Sequence, residues 1–227
     1  LPQCASLRAT ASDTHPRQTP TSTLTLSAVR TGVLTTSGAA TYNALTGVWA
    51  ITDTLANVNT ALASVSFTPV ANNDVDAVIT THIEDQDGAG PADGVVTLDV
   101  TPINDPPTAS NLTTVSSYNE GDASVAIATI VVSESDTNPA QTITATLTLS
   151  DVTTGVLTTS GAATYNALTG VWTITDTLAN VNTALASVSF TPVANTDVDA
   201  VITTHIEDQD SDGPADGVGT LAVTPRR

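Results

Sequence analysis

The chain has 227 residues and a net charge of -18, which comes from 23 acidic residues and five arginines without any lysine. All five arginines lie in the first 30 or the last two residues, so positions 31–225 contain neither Lys nor Arg. Because such a surface repels phosphate groups and attracts divalent cations, nucleic acids and acidic membranes are poor candidates as partners.

The composition favours a folded all-β protein. Threonine accounts for 44 residues, aromatic residues for 3%, and Val, Ile and Thr recur in alternating runs. β-Branched side chains lose less freedom in strands than in helices, and a hydrophobic content of 40% in periodic runs argues against disorder. Cys4 is the single cysteine, so no disulfide can form within the chain.

The chain has no segment that predicts insertion into a membrane. No apolar stretch approaches the roughly 18 to 20 residues that span a bilayer. The first residues also lack the charged, apolar and small-residue regions of a signal peptide. We therefore expect any export signal to lie outside this segment.

A repeat of 123 residues organises the chain. Residues 31–102 return at 154–225 without a gap, and six positions differ. Because so long a period corresponds to a whole domain, we predict domains at 1–103 and 108–227, joined by a linker at 104–107. Residue 1 aligns with Ser124, so the first copy has no counterpart of 108–123 and is expected to lack its N-terminal strand.

The second copy shows the predicted elements in chain order. Alternating or β-rich runs, separated by Gly, Pro, Asn and Asp, predict strands near 110–117, 124–132, 141–150, 155–159, 170–175, 187–193, 199–207 and 218–224. Seven or eight short strands in one repeat favour a β-sandwich.

One segment of the repeat has helical spacing of its apolar residues instead of the alternation of a strand. Within 176–188, Leu178, Val181 and Leu185 have helical spacing after Asp176, a candidate N-cap, so we expect a short helix or turn.

The aromatic residues expected to be core anchors are Trp172 and Phe190 in the second copy and Trp49 and Phe67 in the first.

Acidic residues concentrate in a few places of the chain. These places are the linker pair Asn104 and Asp105, the pair Glu120 and Asp122, the pair Glu134 and Asp136, and the turn-rich segment around 194–213 with its counterpart in the first copy. Carboxylates crowded together without cations repel one another. Calcium removes that repulsion, because it takes six to eight oxygen ligands from carboxylates, carbonyls and Asn side chains.

The spacing of these residues points to a calcium site at the junction of the two copies. Asp74 and Asp76 precede Asp105 by 31 and 29 residues, and Glu134 and Asp136 follow it by 29 and 31. A site shared across a domain junction needs carboxylates at the end of one domain, in the linker and on the facing loop of the next. Sparse histidines and the absence of cysteine clusters argue against zinc or copper.

The linker "NDPP", the D-x-D before it and "SESD" after it resemble the cadherin superfamily, particularly the tandem cadherin-like repeats of large bacterial surface adhesins. The resemblance covers nearly the whole chain and implies two cadherin-like or Ig-like β-sandwich domains with Ca2+ at each junction. The ligands it implies at this junction are Asp74, Asp76, Asn104, Asp105, Glu134 and Asp136.

The same resemblance implies a second junction and shows two departures from the family. Glu120, near Asp122, is similar to the first-strand acid and would serve the next junction with Asp197 and Asp199. The first copy has no counterpart of Glu120, and the linker lacks the extra Asp and Asn usual in cadherins. Fewer than three ions are therefore expected at this junction.

A further candidate calcium site lies in "EDQDSDG" at 207–213. Asp208, Asp210 and Asp212 fit the start of a calcium loop, although Gly219 stands where an EF-hand has its bidentate Glu. The alternative is a polar hairpin with its acids facing water. His82 and His205 alternate with isoleucines, which predicts a solvated strand face for both histidines.

These features predict a structural protein and no enzyme. No glycine pattern of a nucleophile elbow surrounds any serine, and aromatic residues for sugar stacking are scarce. We expect an extracellular or cell-surface adhesive repeat module that Ca2+ stiffens and whose partners are neighbouring repeats; no receptor can be named. The alternatives are a self-assembling filament subunit, since a missing first strand leaves a sheet edge open, and a carbohydrate-binding module.

Overall fold

The structure, a computed structural model, describes residues 8–10, 19–136 and 140–226. The chain divides into two compact units, Leu1–Ile103 and Asn104–Arg227. The linker residues Asn104 and Asp105 therefore belong to the second unit. Cys4 lies outside the described residues.

The first unit contains a large sheet, a small sheet and one helix. Its elements are β1 (Thr21–Leu26), β2 (Gly32–Leu34), β3 (Thr41–Asn43), β4 (Val48–Thr52), α1 (Leu55–Ser64), β5 (Phe67–Pro69), β6 (Ala77–Glu84) and β7 (Gly94–Leu98). The large sheet is antiparallel with the order β3-β4-β1-β6-β7, and β2 pairs with β5 in the small one.

The second unit repeats this plan and adds four strands before it. The added strands are β8 (Thr108–Ser110), β9 (Val115–Asn119), β10 (Val125–Ala126) and β11 (Val131–Ser133). The repeated elements are β12 (Thr142–Leu149), β13 (Gly155–Leu157), β14 (Thr164–Asn166), β15 (Val171–Thr177), α2 (Leu178–Ser187), β16 (Ser189–Pro192), β17 (Ala200–Glu207) and β18 (Gly217–Thr224).

Two sheets enclose the core of the second unit. The larger has six strands in the order β14-β15-β12-β17-β18-β9, and β9 is parallel to β18 at its edge. A three-stranded sheet has the order β10-β16-β13, and β11 pairs with β8. One hydrophobic cluster joins Leu147 and Trp172 of the larger sheet to Phe190 of the smaller sheet and Val181 of α2. This two-layer arrangement confirms the predicted all-β sandwich.

The strands that form this core alternate apolar residues with small polar ones. In β12, Ile143, Ala145, Leu147 and Leu149 are buried and the intervening threonines face outward, as the two-residue period of a strand requires. The predicted aromatic anchors are confirmed, because Trp49, Phe67, Trp172 and Phe190 are at most 2% exposed.

The helix forms where its spacing predicts it, but the capping residue differs. Thr177, rather than Asp176, occupies the N-cap position, and its hydroxyl accepts a hydrogen bond from the Asn180 N–H. The Asp176 carboxylate instead accepts the Thr177 N–H at 2.7 Å and the Asn180 side-chain amide at 2.9 Å. These hydrogen bonds lower the pKa of Asp176, with the Asn180 amide as the largest cause.

Three further differences separate the predicted strands from the observed ones. The run at 110–117 divides into β8 and β9, with Asn111 between them at a φ of 60°. The run at 124–132 divides into β10 and β11, and the short strand β14 was not predicted. Within the described residues of the first unit, β8 and β9 have no counterpart, as predicted for the first copy.

Residues 8–10 of the first unit occupy the place of β11, although their sequence differs. Asn59 of α1 accepts the Ala9 N–H at 2.8 Å and donates to the Ala9 carbonyl at 3.0 Å. Asn182 of α2 makes the same two bonds to Val132, at 2.8 and 2.9 Å. One helical asparagine therefore holds an extended segment through its backbone in both units.

Neither α1 nor α2, the helices of the described residues, is long and apolar enough to cross a membrane.

Candidate functional site

The topology of the second unit brings the linker and two acidic loops to one end of the larger sheet. Strand β12 begins where its antiparallel neighbour β17 ends, because Thr144 pairs with Glu207. Gln141 directly precedes β12, and Asp208 directly follows β17. We call the group at this end the linker cluster; it consists of Asn104, Asp105, Glu134, Asp136, Gln141, Asp208 and Asp212.

Asn104 lies at the centre of the linker cluster. Its side-chain N–H groups donate to Asp208 Oδ2 at 3.0 Å and to Asp212 Oδ2 at 3.1 Å. Its Oδ1 accepts a hydrogen bond from Gln141 Nε2 at 2.7 Å. The linker is thus bound through a side chain to a loop more than 100 residues away.

Asp136 is a buried acid beside the linker, with 8% of its surface exposed. Its Oδ2 accepts the Asp105 backbone N–H at 2.9 Å and Gln141 Nε2 at 2.8 Å. Glu134 Oε1 accepts the backbone N–H groups of Ser135 at 2.6 Å and Asp136 at 3.0 Å. Both residues of the predicted "SESD" element therefore lie beside the linker.

Three buried oxygen atoms of the linker cluster have no hydrogen-bond donor among the described residues. They are Glu134 Oε2, Asp136 Oδ1 and Gln141 Oε1. A buried acceptor without a donor costs about 1–3 kcal/mol, and more when it is charged. No Lys or Arg occurs between positions 31 and 225 to supply a donor. Oxygen atoms of this kind fit a hard cation such as Ca2+.

The amides of Asn104 and Gln141 separate the carboxylates of the linker cluster. In the described part of the chain, no three Asp, Glu, His or Cys side chains are already grouped around a common metal position. Asp136 is linked to Asp208 through the amides of Gln141 and Asn104. The amide N–H groups thus lie between acids that would otherwise repel one another.

The loop at 207–213 is a turn that also contributes to the linker cluster. Asp208 Oδ1 accepts the backbone N–H groups of Asp210 at 2.8 Å and Asp212 at 3.0 Å. In the first unit, Asp85 makes the same turn with Asp87 and Ala89, without a third acid. The same turn therefore forms in both units, whereas Asp208 and Asp212 additionally bind Asn104. The Asp210 side chain is exposed.

The two D-x-D pairs that precede β6 and β17 have one structural contact in common. Asp76 accepts the Val100 N–H at 2.8 Å, and Asp199 accepts the Val223 N–H at 2.9 Å. Asp74 is buried in the first unit, and Asp197 is exposed. Since Asp74 and Asp76 belong to a different unit from the linker cluster, their shared calcium role stays a prediction.

Glu120 and Asp199 lie together at the other end of β17. Glu120 Oε2 accepts the Arg226 N–H at 2.8 Å, just beyond the end of β18. Asp199 accepts the N–H of Val223, near the end of the same strand. Burial raises the pKa of Tyr118, and the charge of Asp199 adds to this. Asp199 and Asp208 flank the eight residues of β17 and are therefore about 30 Å apart.

Asp122 has a local contact and is not part of the linker cluster. Its Oδ2 accepts the Asn119 N–H at 2.9 Å, which closes the turn after β9. The structure thus places the predicted calcium ligands of the second unit at two ends of the larger sheet. Glu120, Asp122, Asp197 and Asp199 lie at the end opposite the linker.

His82 and His205 lie on solvated strand faces, as predicted, with side chains 47% and 46% exposed. His205 Nδ1 lies 2.6 Å from Asp216 Oδ1, and Nε2 lies 3.4 Å from Glu207 Oε2. His82 has the same two contacts in the first unit. These hydrogen bonds, above all those to Asp93 and Asp216, raise the pKa of both histidines.

Sequence reasoning missed or misplaced three members of the linker cluster. Gln141 was not considered, although it directly follows the "SESD" element and precedes a predicted strand. Asp208 and Asp212 were assigned to a separate site, because the pairing of β12 with β17 that brings them to the linker has no local signal. The histidine partners Asp93 and Asp216 were also missed.

No protein-family model matches the chain, and no curated protein sequence matches it. A solved structure of the protocadherin GammaB4 extracellular domain matches 89% of this chain with 15% identity and a TM-score of 0.38. This chain spans 27% of that one.

Two further solved structures are similar at comparable levels. Chicken VE-cadherin EC1-2 matches 97% of this chain and 89% of its own, with 11% identity and a TM-score of 0.36. The C-terminal domain of the Streptococcus pyogenes antigen I/II-family protein AspA matches 88% and 84%, with 9% identity and a TM-score of 0.29. Since identity is 15% or lower in all three, function must be argued from the residues themselves.

Proposed function

We propose that this chain is a structural and adhesive repeat module of an extracellular surface protein, in which Ca2+ binds the linker cluster and stiffens the linker. The observation that carries the proposal is the set of three buried oxygens that have no donor among the described residues, in a stretch of 195 positions without Lys or Arg. When bound, Ca2+ supplies the positive charge and the oxygen coordination that these residues lack.

The residues of the linker cluster offer enough oxygen atoms for such an ion. Asp136, Asp208 and Asp212 provide carboxylates, and Glu134 Oε2, which has no donor in the described part of the chain, can join them. Asn104 and Gln141 now present N–H groups to the carboxylates. A half-turn of each terminal amide exchanges its nitrogen for its oxygen without any backbone movement.

Stiffening follows from the position of the linker within the cluster. Asn104 and Asp105 are held by side chains from the loops after β11 and β17. An ion shared by those side chains would increase the cost of releasing the linker. Asp74 and Asp76 would provide the contribution of the first unit, as the cadherin-like spacing of the sequence implies.

The acids at the opposite end of the second unit support a repeating arrangement. Glu120, Asp122, Asp197 and Asp199 lie beside the end of β18, where the chain leaves the unit. In this proposal they serve the following junction, and the partners of the module are neighbouring repeats of the same protein. The net charge of -18 is consistent with an extracellular, calcium-rich location and with no role in nucleic-acid binding.

Small-angle scattering and thermal unfolding, each in excess Ca2+ and in EGTA, test the proposal. We expect a higher melting temperature and a narrower distribution of interdomain distances with Ca2+. The double variant Asp105→Ala, Asp136→Ala should lose both effects. Equal calcium-dependent melting in this variant and in the parent protein would contradict binding at the linker cluster, and an unchanged maximum dimension would contradict stiffening.

A second candidate function is assembly between copies, as in a filament subunit. The observation that favours it is the outer edge of β14 in the second unit, which has no strand partner among the described residues. Helical order in electron micrographs would support assembly, and dispersed particles at high protein concentration would contradict it.

A further inference from the structure

Each unit carries one histidine beside two carboxylates on the outer face of its larger sheet, and the proposed calcium sites use none of these side chains. In the second unit, His205 and Glu207 lie two residues apart in β17, and Asp216 directly precedes β18. Side chains two residues apart on a strand point to the same face. The side chains of His205 and Glu207 are 46% and 32% exposed, so a dissolved ion can reach both of them.

Asp216 fixes both the orientation of the His205 ring and the ring nitrogen that carries a proton. Its Oδ1 lies 2.6 Å from His205 Nδ1. Because an ionised carboxylate can only accept, Nδ1 carries a proton and donates this hydrogen bond. In the neutral imidazole the lone pair is then on Nε2, the atom nearer Glu207. Metal-binding histidines are commonly held by a carboxylate in this way, with one ring nitrogen donating and the other binding the ion.

The distance between His205 Nε2 and Glu207 Oε2 suits two ligands of one ion better than a direct ion pair. It is 3.4 Å, whereas a charge-assisted N–H···O bond measures about 2.7–2.9 Å. With bonds of about 2.0–2.2 Å, a nitrogen and an oxygen ligand of a tetrahedral zinc ion lie about 3.4 Å apart. The two atoms therefore already have the spacing that such an ion requires.

The first unit builds the same group with the same dimensions. His82 Nδ1 lies 2.6 Å from Asp93 Oδ1, and His82 Nε2 lies 3.4 Å from Glu84 Oε2. Positions 31–225 contain neither Lys nor Arg, so no ammonium or guanidinium group from that stretch repels a cation at either histidine. The chain thus presents two equivalent groups, one in each unit.

We propose that the pairs His82–Glu84 and His205–Glu207 are each a binding site for a divalent transition-metal ion such as Zn2+, separate from the calcium sites. Imidazole nitrogen suits Zn2+, Cu2+ and Ni2+, whereas Ca2+ takes oxygen ligands. Each pair supplies two ligands. No three His, Cys, Asp or Glu side chains surround one metal position in the residues that the structure describes, so water completes the coordination. These open positions face solvent, where a donor group of another molecule can replace the water.

Zinc titration of the whole chain in excess Ca2+ tests these sites by calorimetry. We expect the parent protein to bind two more zinc ions than the double variant His82→Gln, His205→Gln. Cys4 and His15 lie outside the described residues and are the same in both proteins, so they do not contribute to the difference. Equal zinc binding by the two proteins would overturn the inference. Because Ca2+ is present in excess throughout, that result would leave the calcium proposal intact.

Long-range 1H–15N NMR spectra of the parent protein test the same sites without any substitution. Zn2+ should shift the Nε2 resonance of both His82 and His205 and leave Nδ1 protonated in each ring. Coordination through Nδ1, or histidine resonances that do not change with Zn2+, would contradict the proposed sites.

Variants of the second unit separate the ligand from the positioning residue, with His82 as an internal control. Glu207→Gln removes a ligand and Asp216→Ala removes the acceptor of the Nδ1 hydrogen bond, so each should lower zinc affinity at His205 about tenfold or more. Asp216→Ala should also give a mixture of the two neutral tautomers of His205 before zinc is added. Zinc affinity at His82 should stay unchanged in both variants.

Asp151→Asn is the matched control for charge. It removes one negative charge from an exposed acid of the same unit whose carboxylate binds Thr153. Zinc affinity at His205 should be the same in this variant as in the parent protein. An equal loss in Asp151→Asn and Glu207→Gln, or no loss in Glu207→Gln, would overturn the inference.

Discussion

The side-chain amide of Asn104 donates a hydrogen bond to the Asp208 carboxylate at 3.0 Å, across 104 positions of sequence. This contact assigns the linker to the second unit, because Asp208 directly follows strand β17 of that unit. A proline-rich connector is thus attached by side chains at the start of the second unit. The contact also makes Asp208 a sensitive position for testing the proposed calcium site.

Asp208→Asn should abolish most of the calcium response, whereas Asp85→Asn should leave it unchanged. Both carboxylates accept the same pair of backbone N–H groups in their turns, and an asparagine oxygen can replace that acceptor. Only Asp208 also binds Asn104. We expect calcium affinity to fall about tenfold or more in Asp208→Asn. Isothermal titration calorimetry measures it, and equal affinities in the two variants would contradict the proposed site.

The variant Gln141→Glu should have a less stable second unit than the parent protein in EGTA. Ca2+ should restore that stability. The substitution removes the donor shared by Asn104 and Asp136 and adds a charge beside them. We expect a loss of about 1–3 kcal/mol in the free energy of unfolding without Ca2+. Urea unfolding with and without Ca2+ measures the difference. The same loss in both buffers would show that Gln141 has only a structural role.

Stability should depend on pH through His82 and His205. Their hydrogen bonds to Asp93 and Asp216 raise the folded-state pKa of both histidines above the ordinary value of about 6.5. A raised folded-state pKa adds stability that is fully present below the unfolded-state pKa and is lost as the pH rises through the folded-state pKa.

Melting temperatures between pH 5.5 and 8.5, in EGTA, measure this effect of the histidines. We expect the melting temperature to fall as pH rises, and a His82→Gln, His205→Gln variant to show a flatter profile. A variant profile parallel to that of the parent protein would contradict a stabilising role for the two ion pairs.

Asn182→Ala should weaken the attachment of β11 to α2. The side chain of Asn182 makes two hydrogen bonds to the Val132 backbone, which the alanine variant loses. We expect a loss of about 1–3 kcal/mol in the unfolding free energy of the second unit. Thr183→Ala, one residue further on an exposed face of the same helix, is the matched control. A similar loss in both variants would indicate a general effect on the helix.

The sequence predicts elements better than it predicts their contacts. Trp172 and Phe190 could be assigned to the core because their strands alternate, and 176–188 to a helix because Val181 and Leu185 share one face. The cap could not be assigned, since Asp176 and Thr177 are both good capping residues and backbone geometry decides between them.

The candidate site shows the same division between local and long-range information. Asp136 was found through its spacing from Asp105, and the two residues are in contact. The contribution of Asp208 depends on β17 lying beside β12, and strand order has no local pattern in the sequence. Gln141 was missed because an isolated polar residue at the start of a strand is typical of any exposed strand end.

The paired asparagines of the helices have a consequence for how such repeats can vary. Asn59 and Asn182 hydrogen-bond to the main chain of Ala9 and Val132, so these bonds do not depend on the side chains of the anchored segment. Residues 8–10 and 131–133 share no identical position, yet both are held in the same way, with the central side chain buried and its two neighbours exposed. The exposed positions on either side, such as Val131 and Ser133, are therefore suitable places to introduce new surface chemistry into the module without redesigning its fold.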